Sequence, residues 1–503
     1  MTTDARRVGA RSRAVLAVAA VGIASFVAGT RWERDARGAL PPRYGGSIRL
    51  PSPSPVVALD PATATDPFAA TIAAAVFDPL YRVDASGMLQ PVLAEALPVR
   101  QTPAGPVVLR VRSGIRFHHG RGVTAGDVVA TLRRAGAFES ASWAVAPLVR
   151  LGTQPDVRAL DRQTVEIRTA LDPIRVARLL AVPSLAIVPA RFDVARPSGT
   201  GPFQVALRAG AVTLSAFRDA AMAGPYLDRI AFDPPRARND ELRALELGAI
   251  DGSWIAPALY RRSPARPVAS AESPPLAIVL LVLNPSRPAL RDAAVRAHVA
   301  AAIDRAGLGA AGVVARTDLA GAPAGIAPRA EPSVQARHVT LTVPVVAGDA
   351  MEHSLAELLV AQLDEAGVAL QVEPVPAARY PGRINSGDFD LRIAVAVPAG
   401  PDPGGEVAAA LAAAGQGVVA ADLAVSAALW DEAAARAAAR RLSAVVLGRR
   451  RIALHARADL RGTRFDPHGR LVLGDMWLSR PRAAAAVPHD APTTAPPGTG
   501  ALP

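Results

Sequence analysis

Cysteine and lysine are both missing from this chain of 503 residues. Without cysteine there is no disulfide, no thiolate metal site, no cysteine nucleophile and no lipid-modified N-terminal cysteine. Without lysine, all 56 basic residues are arginine, and the formal net charge is +12. Exclusive arginine use beside abundant Ala, Gly and Pro follows the bias of GC-rich coding. The arginines are interleaved with Asp and Glu, form no long block and carry no stacking aromatics, which argues against a nucleic-acid partner. Aromatic residues make up only 4%, so an aromatic-walled pocket has few residues to draw on. There is no G-x-S-x-G elbow, no P-loop and no H-E-x-x-H helix. With no nucleophile–base pair in view either, the sequence gives no enzyme reading and no cofactor or metal site.

What is present is enough apolar sequence, 50%, to fill the cores of two or three lobes. Arg6, Arg7, Arg11 and Arg13 precede an uncharged stretch from Ala14 to Thr30. That is the pattern of an export signal, and two readings stay open: a cleaved signal, or an uncleaved anchor tying the chain to the membrane by residues 14–30. Both place the folded part in the periplasm or cell envelope. The expected organisation is a signal or anchor plus linker over 1–43 and a first lobe over 44–280, with a subdomain inserted at about 80–198. A second lobe over 281–460, a return to the first lobe over 461–480 and a disordered Ala/Pro/Thr-rich tail over 481–503 complete it.

The periodicities are those of an α/β protein. Val107, Leu109 and Val111 alternate with arginines as in a half-buried strand, Ser113-Gly114 turns it, and Ile115 and Phe117 continue the alternation. Thr124 with Asp127 three residues on starts a helix in capping-box style, with Val128, Leu132 and Ala135 inward and Arg133 and Arg134 expected to face water. Further on, Val339–Val343 reads as a strand. Leu355, Leu358, Leu359 and Leu363 form a helical stripe, Gly367 a helix stop, and Val368–Val372 the next strand. Strand, helix, strand is a crossover unit with parallel strands. Phe389, Leu391 and Ile393 supply another strand. A helix is expected from about Asp422 to Leu447, then short returning strands at Ile452–His455 and Leu471–Leu473.

Several short segments occur in a telling order. These are Leu59-Asp60-Pro61, Phe77-Asp78-Pro79-Leu80-Tyr81, Pro91-Val92-Leu93-Ala94-Glu95 and Ile115-Arg116-Phe117-His118-His119-Gly120. After them come Thr124-Ala125-Gly126-Asp127-Val128, Gly199-Thr200-Gly201-Pro202-Phe203, Gly248-Ala249-Ile250-Asp251, and Asn284 followed by Val295-Arg296 and Ile303-Asp304-Arg305. Each alone is weak. Together and in order, from Gly45 to Leu478, the chain resembles the bacterial extracellular solute-binding proteins of family 5, the oligopeptide-, dipeptide- and nickel-binding type. The resemblance implies a bilobed periplasmic-binding-protein clamshell of type II, with an extra subdomain in the first lobe. It also implies a ligand held by hinge closure and an ABC transporter permease as partner, with a small peptide-like or other organic solute as ligand.

The resemblance also shows a departure. Peptide-binding members carry a Trp and an Asp that pairs with the peptide's amino group. The matching stretch here reads Val395 to Pro403, VAVPAGPDP, with Ala399 where that Asp stands. A buried ammonium without a partner is costly, which argues against free-amine peptides. The candidate ligand contacts are Trp254, Asn284 and Asp402, each with a bland alternative: a core tryptophan, a strand-ending turn before Pro285, and a turn residue between two prolines. His118-His119 suggests a metal, but neighbours on a strand point to opposite faces, and the resemblance places the pair in a structural turn. Two uses of the fold remain open: an ABC-type solute-binding protein, or a membrane-anchored envelope sensor or scaffold that keeps the clamshell with altered or lost ligand binding.

Overall fold

The computed structural model describes residues 41–479 apart from short stretches, the longer ones being 139–143, 149–155, 256–266, 327–338, 399–402 and 421–431. The segment 14–30 and the tail 481–503 lie outside the described residues. No helix among the described residues is long and apolar enough to cross a membrane.

The molecule is a mixed α/β clamshell whose first lobe is built on a four-stranded sheet. Ser47–Pro51 pairs in parallel with Arg229–Asp233, which is followed by Ala211–Ala216 and Phe203–Arg208 in antiparallel order. Ile48, Leu50, Phe203 and Phe232 point into one apolar cluster with Ile72 and Phe77, the first of them on the helix Pro67–Val76. Leu460, Leu471, Leu473 and Met476 fill the same cluster, so the end of the described chain returns to the lobe where it began. Next to it sits an antiparallel sheet ordered Val99–Arg100, Val107–Arg110, Thr164–Ile167, Val157–Ala159, covered by the helix Ala125–Ala135.

The second lobe shows how one apolar run is shared between two cores. Ala277–Leu283 is a strand with all seven residues buried, flanked by Leu391–Ala396 and Ala444–Arg450. Successive side chains of a strand point to opposite faces. Accordingly Val279, Leu281 and Leu283 join the cluster built around the helix Ala350–Glu365, while Ile278, Leu280 and Val282 join the one that includes the helix Pro403–Ala413. The latter cluster is continuous with the apolar core of the inserted subdomain, including Leu109, Val128 and Leu132.

The crossover unit forms as its sequence predicts: Val339–Val346 and Val368–Val375 pair in parallel around the helix, with Gly367 at φ +79°. Four local expectations are corrected. The helix expected to reach Leu447 spans Glu432–Ala439 among the described residues, and Ala444–Arg450 is a strand. Burial of Val445, Val446 and Leu447 against strand 277–283 overrides their helical spacing. Ile115 to Phe117 extends no sheet and makes a single bridge, Arg116 to Gly122, because turns at Gly114 and Gly120, both with positive φ, enclose it. Leu471 likewise makes only a bridge to Phe465 and runs into the short turn Leu473–Asp475. Arg134 faces inward: its guanidinium holds the carboxylate of Asp60.

Candidate functional site

Two lobes can close on a guest only if few strands join them. The strands Val268–Glu272 and Ala453–Arg457 pair on the first-lobe side, and Ala277–Leu283 and Ala444–Arg450 pair on the second. The chain therefore crosses between them twice, side by side. At the crossing the Ser273 amide donates to the Ile452 carbonyl at 2.7 Å, and the Ile452 amide donates to Ser273 Oγ at 2.8 Å. Glu272 and Arg451 pair at 3.2 Å, both about half exposed. Pro274 and Pro275 interrupt the outgoing strand, because proline removes a ladder donor. Among the described residues these are two short, adjacent, antiparallel links, the construction expected of a hinge.

Of the three expected contacts, two are described, and each is engaged within its own lobe. Trp254 stands at the edge of the first-lobe core, half-buried. Its indole Nε1 donates to the Pro51 carbonyl at 2.8 Å, its ring meets Phe68 edge-on at 6.4 Å, and its amide donates to Glu241 at 3.0 Å. Burial pushes the Glu241 carboxyl upward, against the bonds from Ser253 and Trp254. Asn284 lies in the second lobe at the end of strand 277–283 opposite the crossing, roughly 20 Å along it at about 3.4 Å per residue. Its Nδ2 donates to the carbonyls of Gly387 and Phe389, both at 3.0 Å, and its Oδ1 accepts from the Ser286 amide. Asp402 lies outside the described residues.

The sequence boxes instead build the rigid body that carries the first lobe's face. Gly199 and Gly201 run against the end of helix 67–76 so closely that an added Cβ would lie 1.9 Å from the Val76 carbonyl oxygen and 2.7 Å from that of Ala75. Only glycine permits that approach. Thr200 between them donates its hydroxyl to buried Asp78 at 2.8 Å. His118 completes the knot. Its Nδ1 accepts from the Gly199 amide at 3.2 Å, which leaves Nε2 to donate to the Gly201 carbonyl at 3.0 Å, and burial lowers its pKa so that it stays neutral. His119 turns away to Ser198 at 2.7 Å. The two rings thus have separate partners in a turn, and among the described residues no three His, Asp or Glu side chains gather as metal ligands. Asp127 accepts from the Thr124 and Ala190 amides, both at 2.9 Å, and from Arg121, which hold its pKa down against burial.

A family description, "Bacterial extracellular solute-binding proteins, family 5 Middle", matches residues 89–324. That middle part of the chain is similar to the family. Its relatives are the substrate-binding proteins of ABC peptide and nickel transporters, a family of transport binders. No curated protein sequence matches it. Solved structures with the same fold include the oligopeptide-binding protein AppA of Bacillus subtilis in complex with a nonapeptide. It has 16% identity and a TM-score of 0.68, with 88% of this chain and 100% of that one covered. NikA of Staphylococcus aureus in complex with Ni(L-His)2 shares 16% identity at a TM-score of 0.65, covering 86% and 100%. AgaA of A. tumefaciens R10 in complex with agropinic acid shares 16% at 0.66, covering 87% and 99%. At this identity the likeness establishes the fold.

Proposed function

We propose that this protein works outside the cytoplasm, closes its lobes around a small peptide-like or other organic solute, and hands it to the permease of an ABC-type uptake system. The double crossing at Ser273 and Ile452 carries the reading, because two adjacent links let one lobe rotate on the other, and opening then parts the apolar cluster that the subdomain and the second lobe share. A ligand touching both lobes favours the closed state by its difference in affinity for the two states. Trp254 and Asp402 are the contacts we carry forward from the sequence. The amide of Asn284 is already committed to the turn at 387–389. No chemistry on the ligand is proposed. The missing aspartate at Ala399 favours ligands without a free amine in that subsite.

The test is to follow melting temperature and radius of gyration with pools of short peptides, N-acetylated peptides, sugar–amino acid conjugates and metal–histidine chelates. A ligand at 100 times its Kd adds about 2.7 kcal/mol of stability, and closure reduces the radius. If no pool changes either quantity, uptake is not the function.

One observation favours a second reading, an envelope sensor or scaffold, anchored if residues 14–30 are retained. The apolar core of the subdomain and the cleft-side apolar layer of the second lobe form one continuous cluster, so protein atoms already occupy part of the space between them. A scaffold would keep a single interlobe distance under every condition.

A further inference from the structure

A cavity of about 400 Å³ opens in the first lobe, within the range of small-molecule sites at roughly 300–1,000 Å³. All its lining comes from residues between Pro61 and Met222 and between Arg464 and Asp475, with none from the second lobe. Its wall is apolar where the helix 67–76 and the returning chain face it, through Ala70, Ala74, Phe77, Leu471 and Leu473. A ligand here would need no hinge closure.

The charges in the lining separate into two sets. Arg464 is paired with Asp475 and Arg470 with Asp466, while Asp84 accepts from the Met88 amide and Gln90. Asp78 and Arg82 are different. Asp78 is 8% exposed; one of its carboxylate oxygens takes the Thr200 hydroxyl, and the other takes no donor among the described residues. Arg82, four residues further along the chain in the strand Tyr81–Val83, is exposed and makes no ion pair among the described residues. Burial raises Asp78 to about 6, with Thr200 and Arg82 acting in the opposite direction, so it is ionised at neutral pH. The open oxygen is not sealed from the cavity, so a ligand's N–H can supply its donor in place of water.

We propose that this cavity is a second binding site, independent of the interlobe cleft, for a small zwitterion with an apolar side group. Its ammonium meets Asp78, its carboxylate meets Arg82, and its side group lies on the alanine face of helix 67–76. Neither a simple amine nor a simple acid satisfies both charged groups; a molecule carrying both does. The transport reading above is not needed for this site to exist.

Calorimetry on the full chain at neutral pH tests it with three probes: L-phenylalanine, 2-phenylethylamine and 3-phenylpropanoate. L-Phenylalanine is expected to bind, and each single-charge analogue at least tenfold more weakly. Asp78→Asn keeps an acceptor for Thr200 and should remove the preference for phenylalanine over phenylpropanoate. Arg82→Gln, at an exposed position, should remove the preference over phenylethylamine. Ala74→Phe, which fills the cavity, should abolish binding. The interlobe distance should not change on adding phenylalanine. Absence of binding by all three probes overturns the proposal, as do phenylalanine binding unaltered in both charge variants and a closure of the lobes by phenylalanine. The first two results leave the transport reading standing; the last assigns the probe to the cleft.

Discussion

Arg134 and Asp60 are joined across 74 residues of sequence, with Arg134 Nη2 donating to Asp60 Oδ1 at 2.9 Å and Nη1 donating to Oδ2. Asp60 is 6% exposed, and the guanidinium also lies over the rings of Phe138 and Phe192 at 5.4 and 4.9 Å. The pair ties the helix 125–135 to the start of the first lobe. Removing one partner of a buried pair leaves an uncompensated charge, at a cost of about 3–5 kcal/mol. Arg134→Met should therefore cost about 3 kcal/mol in urea unfolding. Adding Asp60→Asn to it should recover part of that loss, as coupled residues do.

Gly199 is expected to tolerate no side chain. With a Cβ only 1.9 Å from the Val76 carbonyl oxygen, Gly199→Ala forces the backbone apart and should cost about 3 kcal/mol or more. Gly382, in the helix Tyr380–Asn385 with nothing within 4 Å of an added Cβ, is the control. Gly382→Ala should be neutral or stabilise by up to about 1 kcal/mol. Denaturation midpoints of the two variants decide the matter.

These two positions show what the sequence could reveal. The glycine of Gly199-Thr200-Gly201 and the aspartate of Leu59-Asp60-Pro61 stand out as motif residues, yet nothing in one dimension says that Val76 or Arg134 is the partner. Arg134 looked like a surface residue because helical spacing locates a face, not what lies beyond it. The crossover unit 339–375 was readable because its contacts are local: a parallel pair, a leucine stripe and a glycine stop. Strand 444–450 was not, since Val445 to Leu447 follow an alanine-rich helix and become a strand only by burial against residues more than 160 positions earlier. The cavity at Asp78 left no mark either, because its lining unites residues 61–222 with 464–475.

Asp78 makes stability depend on pH in an unusual sense. Its folded pKa of about 6 lies above the ordinary value of 3.8, so between these pH values the folded chain binds the proton that the unfolded chain releases. Stability from this group is fully present below pH 3.8 and is lost as pH rises through 6. Asp78→Asn removes the penalty. The variant should match the wild type near pH 3.8 and exceed it above pH 7 by on the order of 2–3 kcal/mol, as measured by urea unfolding at both pH values.

Trp254→Phe separates the indole's bond from its bulk. The edge contact to Phe68 survives in part, but the Pro51 carbonyl loses its donor, which should cost about 1 kcal/mol. A larger loss of ligand affinity than of stability would assign Trp254 to the cleft; equal losses would leave it a core residue.

Closure itself is the central claim, and the absence of cysteine makes it directly measurable. Met88→Cys and Val418→Cys place two spin labels on exposed positions, 62% and 77% accessible, one in the turn between strands 81–83 and 89–91 of the first lobe and one after helix 403–413 of the second. Distances between the labels by pulsed electron resonance, with and without the peptide and conjugate pools, should show two populations and a shift toward the shorter on ligand binding. A single distance, the same with every pool, would contradict hinge closure and leave the molecule a fixed scaffold.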